Sequence, residues 1–327
     1  MNTREFVQAL PKAEMHLHIE GAVPWPLIRV ASPDPLPERP PWWADDFRFD
    51  DVTGFRGASQ LAIRNCLASV EGYARSAAAI FAGLAAQNVR YVELSFDADL
   101  VMSRGMAIDA VAATIKQAAL AGLTVRTRAA FSQHKVDRLS AALIDAVVNA
   151  TALDGIDLHG DERMTTTDHF AEAFERARRR GLATRAHAGE LRGAESIVTA
   201  LDALRVTRIA HGVRAIEDDA LVKRLVAEGI TLDMCPWSNV RLRVVPDLAA
   251  HPIRALHRRG VRITVSTDDP TIFGRSLTDE LSSLVDDLGF SLADIAQFET
   301  DAFEVALINE TERAGVVAEI AQLLPQQ

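Results

Sequence analysis

Short apolar or β-branched runs recur along the chain, each followed by a longer Ala/Leu/Arg-rich stretch of helical period. The pattern predicts strands at about Glu14–Ile19, Val89–Phe96, Thr124–Phe131, Gly155–Gly160, Ala183–Ala188, Arg208–His211, Thr231–Cys235 and Arg262–Thr267. Helices are expected between most of them, at Ala107–Leu120, Asp137–Ala150, Asp168–Arg180, Ala194–Leu204, Glu217–Glu228 and Pro252–Arg259. Gly122, Gly181, Gly229 and Gly260 each sit near a helix end just before the next strand, where glycine commonly terminates a helix. Eight β–α alternations argue for parallel pairing, closed as a (β/α)8 TIM barrel. A doubly wound open sheet uses the same units and fits the rhythm as well.

The rhythm breaks once. The segment Glu20–Asn88 holds Trp25, Trp42 and Trp43, and its Ser32–Trp43 stretch is too rich in proline for a helix. In a barrel, residues 20–88 form a β1–α1 insertion over the catalytic mouth, a lid that supplies apolar walls. The alternative is a decorative or oligomer-forming excursion. Ser291–Gln327 reads as extra C-terminal helices packed on the barrel, within one domain spanning 1–327.

Composition narrows the class. A length of 327 residues exceeds twice the usual ~150 per domain, which leaves two domains or one large barrel. With 48% hydrophobic residues a packed core is expected and disorder is excluded. The formal charge of −10 leaves no basic surplus for a phosphate backbone, so no nucleic-acid partner is expected. The longest apolar stretch, around Ala77–Ala86, falls short of the ~20 residues of a membrane span. Met1–Glu14 carries Arg4, Glu5, Gln8 and Lys12 and has no apolar signal core. Cys66 and Cys235 lie far apart and match neither a disulfide framework nor a CxxC knuckle, so a cytoplasmic protein is expected. Cys235 reads as a small buried side chain.

Chemistry gathers at the strand ends. His16 and His18, two apart on the first strand, point to one face. His187 ends the fifth strand, His211 the sixth, and Asp268 and Asp269 the eighth. In a barrel all six converge at the carboxyl face. A His-x-His pair alone is a weak signal, but four imidazoles and a carboxylate pair, each at a strand end, are a strong one. Three imidazoles and one carboxylate oxygen suit Zn²⁺ with a position open for water, whose pKa then falls to about 7. Glu190, three residues after His187 and just past Gly189, is the natural acid/base. His211 is a candidate for orienting the water rather than binding the metal. Adjacent Asp268 and Asp269 point to different faces and should have separate jobs.

The runs Lys12-Ala-Glu-Met-His-Leu-His-Ile-Glu-Gly21, Asp157-Leu-His-Gly-Asp-Glu162, His187-Ala-Gly-Glu190, Arg208-Ile-Ala-His-Gly212, Cys235-Pro-Trp-Ser-Asn239 and Ser266-Thr-Asp-Asp-Pro270 resemble the adenosine/adenine deaminase family of the amidohydrolase superfamily. The likeness runs from about Leu10 to Glu280. It implies a barrel with one Zn²⁺ per chain that hydrolyses the 6-amino group of a purine and releases ammonia. By resemblance, His16, His18, His187 and Asp268 are the metal ligands, and Glu190 protonates purine N1 as C6 is attacked. His211 orients the water and helps take its proton, Asp269 hydrogen-bonds N7, and the backbone of Gly160 meets N3.

The leading substrate is adenosine or a 5′-modified adenosine, with adenine or aminodeoxyfutalosine as alternatives and a non-catalytic binding protein as the remaining reading. A homo-oligomer stays open. Glu20 stands where adenosine-specific members usually carry Asp, and suits a ribose hydroxyl or closure of the pocket. The stretch Arg29–Tyr73 would read the sugar or its absence. His159 is expected to be structural, and Trp237 either walls the pocket or packs on the rim.

Overall fold

The computed structural model describes residues 2–324, so the extreme ends of the expected 1–327 domain and of the Ser291–Gln327 tail lie outside the described residues. Eight strands, β1 Lys12–His18, β2 Val89–Asp97, β3 Thr124–Ser132, β4 Gly155–His159, β5 Ala183–Ala188, β6 Arg208–His211, β7 Thr231–Met234 and β8 Arg262–Val265, pair in sequence order. Every neighbouring pair is parallel. A bridge between Leu17 and Asp268 joins the first and last strands, with His18 N–H donating to Asp268 O and Asp268 N–H to His16 O, each at 3.0 Å. The fold is a (β/α)8 barrel, which removes the open-sheet alternative.

The helices follow the expected rhythm with shorter ends. Ile108–Gln117, Ala141–Val148, Ala171–Arg179, Asp219–Glu228 and Ile253–Arg258 turn apolar faces to the strands, and Ala194–Thr199 continues through a π turn at Ala200–Leu204. β1 ends at His18, because Ile19 already belongs to the Ile19–Ala22 helix. The 20–88 excursion carries helices Trp25–Ala31, Val52–Asn65 and Val70–Ala85, and a 3₁₀ turn at Pro41–Trp43 inside the proline-rich stretch. Val70–Ala85 lies beside Ile108–Gln117 and β2, in the outer helical ring. Helices Pro270–Phe273, Leu277–Asp286, Leu292–Val305 and Glu310–Leu323 follow β8, and Leu292–Val305 packs on β8 and β1.

The apolar core lies between strands and helices, as the alternation requires. The barrel interior differs from the usual branched aliphatic layers. It holds Glu93, Arg128, Asp157, Arg185, Arg208 and Asp233, all buried. Arg128 and Arg208 grip Glu93 at 2.6 and 2.7 Å, Arg208 reaches Asp233 at 2.6 Å, and Arg185 reaches Asp157 at 2.5 Å. Three guanidinium groups thus meet three carboxylates. Burial alone would raise the acids, but the arginines bring Glu93 down to about 2 and hold Asp157 well below the usual carboxylate range. This ion-paired plug forms the floor beneath the carboxyl-end mouth.

Candidate active site

The alternation of β1 places His16 and His18 on its inward face, and the strand ends of β5, β6 and β8 bring His187, His211 and Asp268 to the same spot. His211 and Asp268 both take left-handed backbone angles, φ 65° and 63°, uncommon for residues with a side chain. Such turns aim side chains into the mouth instead of along the strand.

His16, His18, His187 and Asp268 each offer one ligand atom to a common point. His18 Nε2 lies 3.1 Å from His16 Nε2 and 3.2 Å from His187 Nε2. Asp268 Oδ1 lies 3.3 Å from His16 Nε2 and 3.2 Å from His18 Nε2. Donors about 2.0–2.1 Å from a central ion stand about 3.3–3.4 Å apart in a tetrahedron, so the spacing suits a divalent cation. The supporting contacts agree. His187 Nδ1 faces Leu158 O at 2.8 Å, which presents the lone pair of Nε2 inward. Ser95 Oγ holds His18 Nδ1 at 3.0 Å, and Ser238 Oγ donates to Asp268 Oδ2 at 2.7 Å. Burial lowers His16 and His187, keeping them neutral as ligands must be. His18 behaves oppositely: Asp268 and Asp269 outweigh its burial and push it up to about 9. The spot between His18 and the carboxylates therefore favours a positive charge. These residues fit a metal ion.

Glu190 stands at the edge of this cluster, its Oε2 3.6 Å from His211 Nε2. Its Oε1 is buried without a partner. Burial raises its pKa well above the ordinary value, and Asp268, Glu162 and Asp269 add to the rise. His211 is pushed down to about 3 by burial. Asp268 is held low by His18 and His211 despite burial, while burial and the neighbouring Asp268 charge push Asp269 well up. The two adjacent carboxyls line one cavity, which corrects the expectation that they point to different faces, and they are pushed in opposite directions from the ordinary carboxylate value. Asp269 packs so closely on Gly21 that a Cβ there would fall 1.8 Å from its Oδ1, which explains the glycine.

Glu162, quoted above within a motif but given no role, organises the loop that carries Glu190. Its carboxylate accepts the backbone N–H of Gly189 at 3.0 Å, Glu190 at 2.7 Å, Arg192 at 2.8 Å, and also that of Leu191. Gly189 turns there with φ 68°.

A cavity of about 220 Å³ opens over the cluster. His18, His187, Glu190, His211, Asp268 and Asp269 line its floor, joined by Glu20 and Gly160. Phe55, Arg56, Ser59, Gln60 and Ile63 enter from the Val52–Asn65 helix, and no motif in the sequence announced them. Glu20 Oε1 accepts the Asp97 N–H at 2.9 Å, and Asp97 Oδ2 in turn takes Ser132 Oγ at 3.0 Å and Lys135 Nζ at 2.7 Å. His159, expected to be structural, also lines the cavity. Along β4 it shares the inward parity of Asp157, the partner of Arg185, and its Nε2 meets Ser132 Oγ at 2.9 Å. Trp237 packs on the rim instead, donating to Ser283 Oγ at 2.9 Å under the Arg275 guanidinium at 4.4 Å. Cys235 is buried, its Sγ 3.5 Å from His16 Nδ1. No described helix is long and apolar enough to cross a membrane.

Comparison with known proteins adds three findings. The "Adenosine deaminase" family model matches residues 11–323. Curated relatives include adenine deaminases of Rhodospirillum rubrum, 33% identical over 97% of this chain and 97% of that protein, and of Rhizobium meliloti, 36% identical over 94% and 98%. Among solved structures, adenine deaminase from Arthrobacter aurescens superposes with a TM-score of 0.86 at 31% identity, covering 96% of this chain and 98% of that one. A zinc-bound amidohydrolase from Burkholderia ambifaria does so with 0.83 at 25% identity, covering 98% and 93%.

Proposed function

Because the chain belongs to the adenosine deaminase family and is a hydrolytic deaminase acting on C–N bonds, we propose that it hydrolyses adenine at C6 to hypoxanthine and ammonia. The observation that carries the reaction is the buried Glu190 carboxyl, its Oε1 without a partner, beside a convergent three-histidine, one-aspartate cluster. The choice of base over nucleoside is supported by the adenine deaminases at 33% and 36% identity, which move adenosine and its 5′-modified forms from first place to second.

His16, His18, His187 and Asp268 would hold the metal, and the N/O donor set suits zinc. The ion would supply water made acidic enough to react at neutral pH. Glu190, kept protonated by burial, donates to purine N1 as attack at C6 pushes charge there, so its hydrogen bond strengthens as the transition state forms. Asp269, also raised, has a proton to give to N7. The N–H of Gly160, on the cavity wall, serves N3. His211 and Asp268, 4.0 Å apart at Nε2 and Oδ2, would orient the attacking water. Glu20 closes the wall beside Asp97. Within a single 1–327 domain, the part of the 20–88 insertion before Val70–Ala85 acts as the lid, with Val52–Asn65 facing substrate, while Val70–Ala85 belongs to the outer helical ring.

The test is Glu190→Gln. Elemental analysis should find about one zinc per chain in both proteins, with adenine turnover down by about 10³-fold or more in the variant. A variant retaining a tenth of wild-type turnover would remove Glu190 from its role.

A further inference from the structure

His211 reaches away from the cavity to two buried groups that do not line it. Its Nδ1 lies 3.3 Å from Asn239 Nδ2, and Asn239 Oδ1 lies 3.2 Å from His251 Nε2. The far end of this chain is fixed by backbone. Ile253 opens the Ile253–Arg258 helix, so its N–H has no partner within that helix, and it donates to His251 Nδ1 at 3.1 Å. His251 Nδ1 is therefore an acceptor. Burial holds His251 down at about 3, so the ring is neutral and carries its single proton on Nε2. That N–H must meet an oxygen, which sets the Asn239 amide with Oδ1 toward His251. The opposite amide orientation would put two donors face to face. Asn239 Nδ2 then necessarily donates to His211 Nδ1.

We infer that Asn239 and His251 are positioning residues for deamination: a one-way hydrogen-bond chain from the Ile253 backbone fixes His211 in the tautomer that bears its proton on Nε2. Nε2 lies 3.6 Å from Glu190 Oε2 and 4.0 Å from Asp268 Oδ2, so it offers an N–H to the space between them. His211 thus enters the reaction as a donor that holds the attacking oxygen, and it cannot take the water's first proton at that nitrogen. This rests on the orienting role given to His211 above, and it replaces the expectation that His211 helps remove that proton.

The experiment has a spectroscopic and a kinetic arm. Long-range ¹H–¹⁵N spectra of the zinc-loaded, histidine-labelled enzyme report which nitrogen of each ring is bare, and His211→Asn identifies the His211 signals. The wild type should have Nε2 protonated and Nδ1 bare. Asn239→Asp, whose carboxylate attracts a proton to Nδ1, should reverse the pattern and lower kcat by about 10²-fold or more, with KM within about threefold. His251→Leu, which frees the amide to turn, should lower kcat about tenfold. His251→Gln, which keeps a donor toward Asn239, should restore kcat to within about threefold of wild type. A wild-type spectrum with the proton on Nδ1 would overturn the inference, as would unchanged kcat in both Asn239→Asp and His251→Leu. Absence of turnover on any aminopurine would count against the proposed reaction, and the spectrum would still decide the tautomer.

Discussion

Replacing Arg185 with Met should destabilise the barrel floor about as much as emptying a large core side chain. Arg185 is fully buried, with Nη2 2.5 Å and Nε 3.0 Å from Asp157 Oδ2, Nη1 3.5 Å from Asp233 Oδ2, and a further bond to the Met15 carbonyl. Methionine fills similar space but leaves three buried carboxylates facing two guanidinium groups, and Asp157 then faces His187 Nδ1 at 3.4 Å without its main partner. Removing one member of a buried ion pair typically costs about 3–5 kcal/mol, because the remaining charge stays desolvated. At a urea slope of about 3 kcal/mol per molar, that is a midpoint shift of about 1 M or more. The second arm restores neutrality: Arg185→Met with Asp157→Asn should recover about half of the loss. A single variant less than about 1 kcal/mol below wild type, or a double variant worse than the single, would refute the balanced-plug reasoning.

Two other outcomes follow from the same geometry. Glu162→Ala strips four backbone N–H groups of the 189–192 loop of their acceptor, and should lower kcat about 10²-fold and stability by about 2 kcal/mol while leaving bound zinc unchanged, as checked by kinetics, urea melts and elemental analysis. Turnover should depend on pH through Glu190, whose protonated form is the active one. Because its pKa is raised, activity persists through the range where an ordinary carboxyl is already ionised and is lost as pH rises through the raised value. A kcat profile whose alkaline fall lies in the ordinary carboxylate range would contradict this.

The metal cluster was legible in the sequence because it depends on two simple rules. Period-two alternation puts His16 and His18 on one face, and parallel closure puts His187, His211 and Asp268 at one end. The same alternation, counted from Asp157, turns the His159 ring inward. The charged plug left a readable trace, since Glu93, Arg128, Asp157, Arg185, Arg208 and Asp233 put charges at inward positions of the strands. Glu162, Asn239 and His251 were harder to read. Glu162 and Asn239 act on groups 28 residues away and His251 acts through Asn239, so only the folded loops reveal what each side chain holds. The Val52–Asn65 contribution to the cavity has the same cause: helical period predicts a buried face but not which site it covers.

Initial rates of ammonia release by the zinc-loaded protein from adenine, adenosine, 2′-deoxyadenosine and aminodeoxyfutalosine test the proposed function most directly. Adenine should be converted to hypoxanthine with a kcat/KM at least about 10²-fold above that of any ribosylated compound. Faster turnover of adenosine than of adenine, or no ammonia from adenine, would contradict it.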